Sequence, residues 1–136
     1  KSTSLMSFKE IAVGDHSFQG KEKPIRLKDL IENPLISLGQ GSTTYEFYSK
    51  FFLENDLVLS PDTEVETIDQ VLPLIMNGLG IGFLPELFVR PVIEEGKVCQ
   101  IPLKENIPER EICLVENHTF PPSIAAEMFK KMLVLK

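Results

Sequence analysis

The sequence predicts an α/β domain, a mixed or parallel sheet flanked by helices. Three observations predict it. Short apolar runs of strand length alternate with amphipathic segments of helical period. Pro and Gly bound those runs. Two helical segments open on a hydroxyl followed three places later by Glu or Gln, Thr43 with Glu46 and Thr67 with Gln70, the spacing of a capping box.

Composition agrees with one folded domain or a part of one. Of 136 residues, 43% are apolar and 25% charged, the ordinary mixture of a protein with a core. Twenty acidic residues against 14 basic ones leave a formal net charge of -6, a sign opposed to phosphate binding, so no large nucleic-acid footprint is expected on this chain. No apolar run reaches the length of a membrane span and the N-terminus carries no signal-peptide pattern, so a cytoplasmic setting and no membrane partner are expected.

In chain order, Phe8 to Gly14 reads as a short strand closed by a polar loop, Asp15 to Lys23. Leu27 to Leu30 reads as a turn of helix, and Pro34 to Gly39 as a buried strand between Pro and Gly. The helix opened by Thr43 carries Tyr48, Phe51 and Phe52 on one face and ends at Asn55 and Asp56. Leu57 to Ser60 has strand character. The helix opened by Thr67 shows a stripe of Ile68, Val71, Leu72 and Ile75, a stop at Gly78, and a bend expected at Pro73. Ile81 to Leu84 reads as a strand stopped by Pro85, and residues 86–95 as a helix interrupted by Pro91. Lys97–Leu103 and Arg110–Glu116 read as strands. Ser123 starts a final helix whose Ile124, Met128, Phe129 and Met132 form an expected core-facing stripe.

Few residue groups carry chemistry. Gly78, Gly80 and Gly82 follow a helix and precede a strand, the reverse of a dinucleotide-binding turn, so a tight connection is expected and no nucleotide. Gly39 to Thr44 follows a strand and opens a helix. There backbone N–H groups and hydroxyls of Gly41, Ser42, Thr43 and Thr44 converge at a positive helix end, suited to helix capping or to an anion. Glu66 and Thr67, at the next helix start, offer the same pair of readings. Cys99 and Cys113 sit in apolar strands and are expected to be buried and reduced, with a disulfide open to them if their strands pair. His16 and His118 stand alone in polar loops, without a Cys or His at ligand spacing, so no metal and no cofactor are expected. No G-x-S-x-G turn or other nucleophile constellation is present, and no enzyme is expected.

Glu66 through Pro85 resembles the helix and "GxGIxxLP" turn typical of LysR-type effector domains. The flanks are similar too: Asp15 to Phe18, Leu27 to Leu30, Pro34 to Ile36, Glu95 to Val98, Arg110 to Val115 and Ser123 to Phe129. The resemblance runs from about Phe8 onward, with Pro73 in place of the usual aliphatic residue. It implies a type II periplasmic-binding-protein-like fold of two lobes, with a small-molecule effector in the cleft. Residues 1–136 would be a fragment of that domain lacking most of the first lobe, the second lobe spanning roughly 14–85 and the return and C-terminal segments 86–136. The implied partners are an effector, anionic by the helix-start argument, bound near Gly41, Ser42, Thr43, Thr44, Glu66 and Thr67. A homodimer or homotetramer is also implied, with DNA contacted only through a helix-turn-helix domain outside this chain. A transporter's solute-binding protein of the same fold is the rival reading.

Overall fold

The computed structural model describes residues 1–117 and 119–134. His118 lies outside the described residues. The strands are β1 (Ser2–Phe8), β2 (Glu10–Asp15), β3 (Ile36–Leu38), β4 (Thr63–Val65), β5 (Gly82–Pro85), β6 (Val98–Ile101) and β7 (Arg110–Val115). The helices are α1 (Leu27–Leu30), α2 (Thr43–Glu54), α3 (Val71–Met76), α4 (Glu86–Glu94) and α5 (Ile124–Val134), with 3-10 turns at His16–Phe18 and Ile68–Gln70. The chain divides into two compact units, Lys9–Pro108 and a smaller one joining Lys1–Phe8 to Glu109–Lys136. Residues 14–85 all belong to the larger unit.

The larger unit is built on β2. Its residues pair antiparallel with β5 on one side and β6 on the other, Ala12 opposite Phe83 and Ile101. β3 and β4 form a parallel pair, and a parallel bridge from Leu35 to Ile81 ties β3 to the start of β5. Successive residues of a strand point to opposite faces, and here both faces are covered. Ala12, Leu35 and Phe83 join Tyr48, Phe51 and Phe52 of α2 in one core. Ile11, Val13, Ile36 and Leu84 join Val71, Ile75 and Val89 in the other. A sheet buried on both faces has no polar face, so its strands read as continuous apolar runs. That is why β2, β3 and β5 stood out in the sequence.

The smaller unit pairs β1 antiparallel with β7, from Ser2 opposite Val115 to Phe8 opposite Arg110, with a register shift between Ser4 and Met6. Helix α5 starts on a Ser123 cap, its hydroxyl accepting from the Ala126 amide at 3.1 Å.

Several expectations need correction. Phe8 closes β1, a strand not anticipated, and the expected Phe8–Gly14 strand is β2. Leu57–Ser60 is irregular: Leu59 is buried by its side chain, yet the ladder partner of β3 is Thr63–Val65. Pro73 does not bend an α-helix interior. A 3-10 turn occupies Ile68–Gln70 and the α-helix begins at Val71, which places Pro73 in the first turn, where a missing N–H is tolerated. Pro91 does not interrupt α4, which runs through it. The stripe on α5 is not a core: Ile124 is 83% exposed and Met128 62%. Cys99 is only half-buried and Cys113 exposed; both are free, since β6 pairs with β2 and β7 with β1.

Candidate functional site

The start of α2 is fixed by local chemistry. Gly41 adopts φ +94°, a conformation that suits glycine, and turns the chain from β3 into the helix. The cap is Ser42, one residue earlier than the Thr43 expected from spacing. Its hydroxyl accepts from the Tyr45 amide at 2.9 Å and donates to the Gly39 carbonyl at 3.0 Å. Thr43 thereby becomes the first residue of the helix and lies exposed.

At the second start the capping box forms as the spacing predicts. Gln70 Oε1 accepts from the amides of Glu66 and Thr67, at 2.9 and 3.1 Å, while the Thr67 hydroxyl accepts from the backbone of Gln70. Thr67 is therefore held by the turn it caps.

Parallel pairing brings the two places together. Leu38 stands opposite Val65 in the β3–β4 register, so the chain leaves both strands side by side, at Gly39 and at Glu66. Ligand crevices in α/β sheets open outside the carboxyl ends of parallel strands, and a cleft of 610 Å³ opens here. Its lining comes from Gly39, Gln40 and Tyr45 on one side, and from Leu59, Ser60, Pro61, Glu64, Val65 and Glu66 on the other.

Of the residues singled out in the sequence, Glu66 lines this cleft. Gly41, Ser42 and Thr43 sit at the helix start beside it without lining it, and Thr67 lies next to Glu66 in the capping turn. Thr44 instead faces a 10 Å³ crevice between Ser37, Tyr48 and Ile68. Gln40, Tyr45, Ser60 and Glu64 were missed. Glu64 lies in β4, which an expected strand at Leu57–Ser60 hides, whereas Gln40 and Tyr45 flank the start of α2.

A second cavity, of 620 Å³, lies in the smaller unit between the end of β7 and α5, beside Phe120, Phe129 and Lys130. Its walls continue the exposed apolar side of α5, and its cation is engaged, Lys130 Nζ lying 2.9 Å from Glu116 Oε1.

Residues 7–135 match the family model described as the LysR substrate binding domain. The chain belongs to that family. Among curated relatives of this LysR domain, an uncharacterized HTH-type transcriptional regulator of Bacillus subtilis, YwqM, is 29% identical over 100 residues, covering 74% of this chain and 33% of that protein. The HTH-type transcriptional activator CmpR of Synechocystis is 36% identical over 64 residues, covering 47% of this chain and 21% of that protein. The LysR domain thus spans a third or less of these relatives. Among solved structures, the regulatory domain of Synechocystis CcmR, in complex with 2-PG, superposes with a TM-score of 0.86 at 13% identity, over 99% of this chain and 65% of that one. The effector-binding domain of QuiR, in complex with shikimate, gives 0.80 at 18% identity, over 99% and 64%. These likenesses establish the periplasmic-binding-protein-like fold of LysR effector-binding domains, a mixed sheet with flanking helices.

Proposed function

We propose that this chain is the effector-sensing part of a LysR-type transcriptional regulator, and that the cleft at the carboxyl ends of β3 and β4 is one wall of its effector site. The observation that carries the reading is the convergence, in a member of this family, of two strand ends and the α2 start on one 610 Å³ cleft. Neighbours of the same fold have been solved with small acids, shikimate for QuiR and 2-PG for CcmR. Membership of the LysR family favours this reading over a transporter's solute-binding protein.

In this proposal Lys9–Pro108 is the second lobe, and the facing wall comes from a first lobe, most of which is not in this chain. The effector lies against Glu66, Gln40, Tyr45, Ser60 and Glu64, with Gly41 and Thr43 beside the cleft; Ser42 and Thr67 hold the wall as caps, and Thr44 faces the neighbouring crevice. An effector that binds one lobe arrangement better shifts an existing equilibrium toward it. In a homodimer or homotetramer that shift reorients helix-turn-helix domains outside this chain, which alone contact DNA. The protein is cytoplasmic and works without a cofactor or a reaction of its own.

Metabolite screening by calorimetry, with Thr43→Val and Tyr45→Ala as probes, tests this. The proposal expects weaker effector binding with an unchanged fold in both variants. Unchanged affinity in both would remove the cleft from the effector site.

A further inference from the structure

We draw no further inference here: the strongest candidate, the exposed apolar face of α5 formed by Ile124, Met128, Phe129 and Met132 beside the 620 Å³ cavity at the end of β7, supports no proposal, because nothing in the structure shows what covers it.

Discussion

The carboxylate of Asp62 accepts a hydrogen bond from the Leu35 amide at 2.9 Å, and the Asp62 amide donates back to the Leu35 carbonyl at 2.8 Å. This reciprocal pair joins the entry of β3 to the residue before β4, and so sets the register that places Gly39 beside Glu66. Asp62→Ala should leave the Leu35 amide, next to a buried side chain, without its acceptor. A loss of about 1–3 kcal/mol is expected, read as a lower midpoint in urea. An unchanged midpoint would show that water replaces the carboxylate at no cost.

Gly80 permits the close approach of the α3–β5 turn to Pro34. A Cβ at Gly80 would lie 2.6 Å from the Pro34 carbonyl oxygen, which itself accepts from the Ile81 amide at 2.9 Å. Because the obstacle is backbone, Gly80→Ala should destabilise by about 1–3 kcal/mol, visible as a drop in Tm. The bridge between Leu35 and Ile81 should loosen too, shown by faster amide exchange at Ile36 and Ile81.

Phe52 is fully buried between α2 and the sheet, its ring edge-on to Phe83 with centroids 6.1 Å apart. Phe52→Ala should cost about 3–5 kcal/mol. Leu53, the next residue, is 60% exposed, so Leu53→Ala should stay within about 0.5 kcal/mol. Comparable losses from the two would contradict the packing of this helix face.

Asp15 caps the first 3-10 turn. A hydrogen bond from the Ser17 hydroxyl, helped by the Ser17 amide and by His16, holds its carboxyl below its ordinary value of 3.8. A depressed folded value means that its contribution is present above the unfolded value and is lost as pH falls through the folded one. Ser17→Ala should move the Asp15 midpoint up toward 3.8, measured by carboxyl NMR between pH 2 and 6. A midpoint that stays put would assign the shift to the backbone alone.

The two cysteines should differ in reactivity. Burial, and then the charge of Asp15, push the Cys99 thiol above its ordinary value, which lowers the fraction of reactive thiolate. Cys113 is exposed on β7. Iodoacetamide at pH 7.5 should label Cys113 first and Cys99 more slowly. Faster labelling of Cys99 would overturn this assignment.

What could be read from the residues in order was local, or depended on burial alone. The capping box of Thr67 and Gln70, the stop at Gly78 with φ +75°, and the end of α2 at Asn55 are set by neighbours within a few residues. The apolar runs of β2, β3 and β5 reveal a doubly covered sheet, because only buried strands can do without a polar face. Where the residues competed for a role, spacing was not enough. Ser42 and Thr43 both precede Glu46, and the Gly41 turn decides for Ser42.

The candidate site itself belonged to tertiary structure. Residue order was enough for the α/β class, the capping box of Thr67 and Gln70, the apolar runs of β2, β3 and β5, and Glu66 as a residue of interest. Tertiary structure alone decided that Thr63–Val65 pairs with β3 while Leu57–Ser60 does not. It also decided that the apolar side of α5 stays exposed, that the cysteines lie on strands with other partners, and that Gln40, Tyr45, Ser60 and Glu64 share a cleft with Glu66. The physical reason is that strand pairing is non-local. A three-residue strand with an exposed Glu at its centre carries almost no pattern of its own, and its place is set by a partner 27 residues earlier in the chain.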